Sequence, residues 1–445
     1  MIRKTIILTA LAISTAVTAR AQTDSIGLPA TTVWTYDQCI EYARVHNIDV
    51  RQATLEHEST AIDIEAAKAK WFPSLNVATT QSYTNYPKPG TGGHVNNYNG
   101  SYGLNSNWTL YDGGSRTNEI KRAELLNRQS RLTIERQLNT LTTSILSTYL
   151  QILYAREAIG IAESSAATSK MQSERAEQLM NSGRISRVDY TQLLSQYHSD
   201  LYTIESARSN YASKCLEMKM LLQLGIDSDV ELSDVAFTEE QVLAPMPDKA
   251  AVYLAAIEWL PAIKSTELSR DISDARIAIA QAGTRPNISL NGSVATNNGT
   301  HTGETFGNQL LHGLHEQIGV TLSYNIFDQK VTSSEIARAK IARLNADLDL
   351  EDILTSVQES IESAYIEGTT AQARYRSGKV KLQSAELTDE LTNEQFRLGL
   401  VNTLDLITSH NDLLAARQEL LQAKYLAILS AKILQFYRDG NVSLP

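Results

Sequence analysis

Two stretches decide how this chain folds: 107-NWTLYDGGSRTNEIKRAE-124 and 323-SYNIFDQKVTSSEIARAK-340. In each, aromatic and aliphatic residues alternate with polar ones, an aspartate follows, and a polar run gives way to a charged helical pattern. Asp112 corresponds to Asp328, Glu119 to Glu335 and Ile120 to Ile336, each pair 216 residues apart. Period-two alternation is a strand signal and period 3.6 a helix signal, so each stretch reads as a strand passing into a helix. Its recurrence half a chain later implies that the 445 residues form two similar halves.

The distribution of chain breakers agrees. The nine prolines lie at 29, 73, 87, 89, 245, 247, 261, 286 and 445, leaving 90–244 and 287–444 without any. Proline interrupts helix interiors, so these spans permit very long helices. Thirteen of the 22 glycines fall in 73–114 and 286–328, windows rich in Asn, Thr, Ser and Tyr. Long helical blocks therefore alternate with two short β blocks.

The helical blocks carry heptads. One seam runs from Leu194 through Tyr197, Leu201 and Ile204 to Leu222; another continues through Leu350, Leu354, Val357 and Ile361. Leu406, Leu413, Leu420, Ala427 and Leu434 repeat every seven residues, with Ser409, Ala416, Ala423 and Ser430 three residues after the first four in turn. Such small residues let helices approach closely in a coiled coil. A helix from Gly113 to Asn181 would be roughly 100 Å long, more than a compact domain needs.

The β blocks carry two-faced strands. Tyr102, Leu104, Trp108 and Leu110 alternate with Gly103, Asn105, Asn107 and Thr109. Ile318, Val320, Leu322, Tyr324 and Ile326 alternate with Gln317, Gly319, Thr321, Ser323 and Asn325. Strands of about 10 residues, apolar on one face and polar on the other, suit a transmembrane barrel. A soluble hairpin with one buried face has the same alternation. The secretion-type N-terminus and the second hairpin favour the barrel, with Tyr102, Leu104, Trp108, Val320, Leu322 and Tyr324 toward lipid. Four strands are too few to close one, and open edges are not tolerated in lipid. The strands must then be shared between copies.

Residues 1–21 read as a signal peptide: Arg3 and Lys4, an apolar run from Ile6 to Val17, then Ala19-Arg20-Ala21. No later run of 18 apolar residues suggests a membrane helix. A net charge of −10 without a basic cluster argues against nucleic-acid binding. Cys39 and Cys215 lie on apolar helical faces, which favours free buried thiols over a disulfide, although an oxidising compartment permits one.

With both halves laid out, the chain resembles the TolC family of outer-membrane efflux and secretion channels. The likeness rests on the duplicated layout, the segments "FPSL" and "RPNISL", the turns at Asp112 and Asp328, and the tips "NSGRISRVDYTQL" and "RLGLVNTLDLITS". The tips align Gly183 with Gly399 and Asp189 with Asp405. The resemblance implies an α+β membrane protein with duplicated long helical hairpins in a coiled-coil tunnel and four transmembrane strands per chain. Three copies would share a 12-stranded barrel. It further implies an outer-membrane location in a Gram-negative bacterium, a periplasmic tunnel, and two partners, a periplasmic adaptor protein and an inner-membrane transporter. No enzymatic activity, cofactor or metal is expected. A periplasmic coiled-coil scaffold without a pore is the rival reading.

The expected divisions are an opening segment at 22–72, a β-hairpin at 73–112, a helical hairpin at 113–223 with its tip at 181–189, and a linker at 224–250. The second repeat then has an opening helix at 251–285, a β-hairpin at 286–328 and a helical hairpin at 329–437 with its tip at 397–405, followed by a tail at 438–445. Gly183 and Gly399 would turn the chain, and with Arg184 and Leu400 they are candidate adaptor contacts. Asp189 and Asp405 follow the capping residues Ser186 and Asn402 by three positions, which suits a capping box. Repeated by symmetry, either aspartate would also form a carboxylate ring at the entrance, and such rings favour cations. The family's latch is not matched: Thr408, Val401 and Phe396 stand where a second aspartate, an arginine and a tyrosine would be, and Arg184 and Arg187 are candidate substitutes. "GTGGH" at 90–94 lacks the lysine of a phosphate loop. His301, His312 and His315 read as solvated loop residues rather than metal ligands.

Overall fold

The computed structural model describes residues 33–88, 90, 93 and 95–444. The signal segment and Thr91, Gly92 and His94 of the glycine-rich loop lie outside the described residues. The first repeat comprises β1 (Val33–Trp34), α1 (Tyr36–His46), α2 (Ile48–Ala69), β2 (Ser74–Asn85), β3 (Asn96–Tyr111), α3 (Ser115–Asn181) and α4 (Arg187–Leu221). A connecting segment holds β4 (Glu231–Leu232) and α5 (Glu239–Val242). The second repeat comprises α6 (Lys249–Trp259), α7 (Pro261–Ala282), β5 (Asn287–Gly299), α8 (Phe306–His312), β6 (His315–Ser323), α9 (Val331–Leu398) and α10 (Thr403–Asp439).

Each opening helix is two helices rather than one, for local reasons. Asn47 leaves the helical region, and its Oδ1 accepts from the amides of Asp49 and Val50 at the start of α2. In the second repeat Pro261 occupies the first turn of α7, where its missing N–H costs nothing.

α3 and α9 run unbroken for 67 and 68 residues, about 100 Å each at the α-helical rise. They pair with α4 and α10 as antiparallel hairpins. The main apolar core lies around their middle. Ile145, Leu146, Tyr149, Leu150 and Leu153 of α3 meet Met218 and Leu222 from the α4 end, Leu421, Tyr425 and Ile428 of α10, and Cys39 of α1. The chain wraps this belt from outside. β1 pairs in parallel with β4, and the buried Gln372 amide of α9 donates to the carbonyls of Val242 and Ala244. Both cysteines are free, and burial pushes the Cys39 thiol up to about 12. No described helix is long and apolar enough to cross a membrane.

The other end of the molecule is a four-stranded antiparallel sheet in the order β2-β3-β5-β6. Registration sorts the side chains cleanly. Val77, Leu104 and Val294 align on one face, as do Trp108, Leu290 and Val320; Asn76, Asn105 and Ser293 align on the other, as do Asn291 and Gly319. β2 and β6 are open edges.

One expectation needs correction. The second two-faced strand ends at Ser323 instead of Phe327, so Tyr324 lies beyond it. Its counterparts in the first repeat, Trp108–Tyr111, are strand because they pair with Ile288–Leu290 of β5. Residues 324–327 have no such neighbour within the chain.

Candidate functional site

At the two helical tips the backbone conformation follows directly from the sequence. Gly183 and Gly399 have φ of +70° and +77°, a left-handed geometry that glycine adopts without a Cβ penalty. In both, the residue after the glycine closes the helix end: Arg184 N donates to Leu179 O (2.8 Å) and Leu400 N to Gln395 O (2.9 Å). α4 and α10 then start with matching capping boxes. Asp189 N donates to Ser186 Oγ at 3.1 Å and Asp405 N to Asn402 Oδ1 at 2.9 Å, and each aspartate accepts in return from its cap's amide.

The two aspartates then diverge. Asp405 is exposed and touches only its own cap. Asp189 also accepts from Thr403 Oγ1 at 2.9 Å, which ties the first tip to the second. The hydrogen bonds from Ser186 and Thr403 hold its carboxyl below the ordinary range. Phe396 packs half-buried in an apolar cluster of Ala176, Leu193 and Leu406. Neither Arg184 nor Arg187 forms an ion pair among the described residues. Leu400 is exposed.

Above the tips the hairpins meet through buried polar groups that the heptad reading did not single out. His410 of α10 and Asp200 of α4 are 3% and 2% exposed, and His410 Nε2 lies 3.0 Å from Asp200 Oδ2 and 2.8 Å from Ser165 Oγ of α3. A proton on Nε2 serves both acceptors; Nδ1 is buried without a partner. Gln196 donates to both Asp200 and Asn411. Burial pushes the Asp200 carboxyl up, but hydrogen bonds from His410, Ser169 and Gln196 outweigh it and hold the group below the usual carboxylate range. Nearby, Gln172 of α3 donates to Asn393 of α9, which donates to Asp389. Asp200 was detectable only by phasing the seam from Leu193 instead of Leu194. That phase puts a carboxylate at a core position, the usual sign of a specific partner.

At the opposite end of α3, Asp112 organises the strand-to-helix turn. It accepts from the amides of Gly114 and Arg116 and from Arg116 Nε at 2.8 Å. The buried guanidinium stacks over Trp71, 4.3 Å from the ring centroid, and Trp108 Nε1 donates to Trp71 O. Asp328 repeats the cap alone, accepting from Thr332 N at 2.8 Å. Gln329 and Lys330 stand in left-handed geometry where the first repeat has Gly113 and Gly114. A Cβ on Gly113 would sit 2.6 Å from Ala282 O, so α7 requires glycine there.

Tyr102, Leu104, Trp108, Val320 and Leu322 share one face of the sheet. His301 and His315 engage the carbonyls of Asn96 and Gly313, His312 engages Glu304, and no metal-binding cluster occurs among the described residues.

Residues 39–222 and 252–436, one span per repeat, match the family model described as outer membrane efflux protein. The chain is 22% identical over 394 residues to the outer membrane efflux protein BepC of Brucella suis, covering 85% of this chain and 78% of that one. It is 21% identical to the outer membrane protein TolC of Escherichia coli, covering 87% and 78%. Its fold matches the Campylobacter jejuni CmeC outer membrane channel with a TM-score of 0.77 at 16% identity, over 92% of this chain and 86% of that one. It matches CusC with a TM-score of 0.76 at 17% identity, over 92% and 94%.

Proposed function

The chain belongs to the outer membrane efflux protein family, and from that premise we propose that it is the outer-membrane duct of a tripartite exporter. Three copies close a 12-stranded barrel through the outer membrane. Their helical hairpins form a periplasmic tunnel whose tips receive an adaptor and an inner-membrane transporter. The chain performs no chemistry: substrates pass along the polar face of the sheet and leave outside the cell.

One observation carries this reading. An apolar face with Leu75, Val77, Val320 and Leu322 largely exposed backs a face of Asn, Ser and Thr, and the sheet has two open edges. A water-filled barrel in lipid uses both faces and abolishes both edges. A periplasmic scaffold without a pore would leave that apolar face in water.

In this reading Asp405 forms the ring of three carboxylates at the entrance, because it is the exposed member of the pair, and Gly183, Gly399, Arg184 and Leu400 contact the adaptor. Planar-bilayer recordings test it. Asp405→Asn keeps the cap and removes the charge, so cation preference and block by multivalent cations should fall while assembly persists. A protein released with the periplasm without detergent, as a single chain that conducts no current, would instead support the scaffold.

A further inference from the structure

The connection from β5 to β6 is not a plain loop. At the end of the sheet away from the long helices it forms α8, whose seven residues include no Asp, Glu, Lys or Arg. α8 lies over the apolar face of the sheet. The Phe306 ring meets the Tyr102 ring edge-on, 6.5 Å between centroids, and Thr296 Oγ1 donates to Leu310 O at 2.7 Å. Tyr102 and Thr296 are paired across β3 and β5, on the same face as Leu104 and Val294 two residues further along. Gln309 fixes the helix as well. Its Oε1 accepts from Gly299 N at 2.7 Å and its Nε2 donates to Glu304 O at 2.8 Å.

The strands lack apolar cover just there. On β5 the apolar face runs through Ile288, Leu290 and Val294, then turns polar at Thr296 and Asn298. β6 changes at the same level: Ile318, Val320 and Leu322 share the face, and Glu316, opposite Val294, ends it. The stretch from Ile288 to Val294 spans about 20 Å of strand. Tilted by about 35–45°, it covers about 15 Å of the roughly 25 Å apolar band of an outer-membrane barrel. The shortfall of about 10 Å is the width of one helix. α8 occupies that strip with apolar groups turned outward: Phe306, Leu311 and Leu314 are 54%, 72% and 55% exposed. At helical spacing Phe306, Leu310 and Leu311 fall on one side of α8, and Asn308, Gln309 and His312 on the other.

We propose that α8 is seated in the membrane, with Phe306, Leu311 and Leu314 against acyl chains of the outer leaflet. It thereby completes the lipid-facing band where the strands turn polar. The inference rests on the shared-barrel reading, in which the apolar face of the sheet meets lipid, and extends it to a segment outside the strands. Continuity with that face selects lipid as the occupant. A helix that plugged the pore would lie on the opposite, polar face. The polar side of α8, where His312 Nδ1 lies 3.3 Å from Glu304, then faces the headgroups, as in other interfacial helices.

Nitroxide labels read the surroundings of single side chains in the full chain. Leu311→Cys, Val320→Cys and Thr302→Cys are each made with Cys39→Ala and Cys215→Ala, and an unchanged native mass reports correct assembly. The labelled protein is reconstituted in phosphatidylcholine vesicles and probed with oxygen, which concentrates in hydrocarbon, and with a nickel chelate, which stays in water. The oxygen-to-nickel collision ratio at Leu311 should match that at Val320 and exceed that at Thr302 at least about threefold. A ratio at Leu311 no higher than at Thr302, with Val320 still lipid-like, overturns the proposal and leaves the barrel intact. Exclusion of both reagents with spin–spin broadening at Leu311 also overturns it, because a neighbouring copy would then cover α8. Water-like ratios at Leu311 and Val320 together overturn the shared barrel itself.

Discussion

The same four long helices are held together in two different ways along their length. At the belt they meet through Ile145, Leu146, Tyr149, Leu150 and Leu153 and their apolar neighbours. Toward the tips they meet through Asp200–His410–Ser165, Gln196–Asn411, Gln172–Asn393 and Asp189–Thr403. The apolar cluster there is small, built on Ala176, Leu193 and Leu406. Apolar burial is additive and indifferent to orientation, about 1.5–3 kcal/mol per large side chain. Buried hydrogen bonds contribute about 1 kcal/mol each and demand one geometry. The belt thus rests on many contacts that tolerate reorientation, and the tips on a few that fix one geometry.

The largest expected effect lies at the belt. Leu153, 2% exposed, loses contacts on every side in Leu153→Ala, which should cost about 2–5 kcal/mol. Thermal unfolding of the detergent-solubilised protein measures this. An equal loss for Leu193→Ala in the tip cluster would erase the contrast.

Asp200→Ala should cost about 1–3 kcal/mol by stranding His410, Ser169 and Gln196. It should also raise the open probability of reconstituted channels, which Leu153→Ala should not. Replacing both members, Asp200→Leu with His410→Leu, should recover part of the stability, because the buried carboxylate and imidazole go together and, of the buried groups, only the Ser165 and Ser169 hydroxyls lose a partner. Acid provides a second readout. Asp200 has a lowered folded-state pKa, so its contribution is present above the unfolded value of about 3.9 and is lost as pH falls through the lower folded value. Asp200→Asn should flatten the fall in stability below about pH 4. An unchanged acid limb would assign that slope to other carboxylates.

The smallest effect is expected at the tip turns. Gly399→Ala places a Cβ in left-handed geometry with open space around it, which should cost about 1–2 kcal/mol of local strain. Hydrogen exchange should rise at the ends of α9 and α10 and leave belt amides unchanged. Faster exchange at the belt would mean that the two regions unfold as one unit.

Much of this molecule was legible one residue at a time. The two-faced strands, the glycine turns at 183 and 399, the caps at Ser186 and Asn402 and the aspartates at 112 and 328 are local devices, each satisfied by atoms a few positions away. The repeat offset carried the layout because duplication preserves spacing. Asp200, His410 and Thr403 escaped that reading because their partners lie on other helices, and heptad spacing reports which face is buried, not what it meets. Alternation alone places Tyr324 in a strand, yet β6 ends at Ser323. A strand needs a neighbour to bond, and that neighbour is absent from its own chain. Sequence determined the periods, turns and caps, since these depend on backbone geometry and nearest neighbours. The tertiary structure decided which helices share polar groups, where the apolar belt closes and which sheet edges stay open, since those depend on segments brought together only by folding.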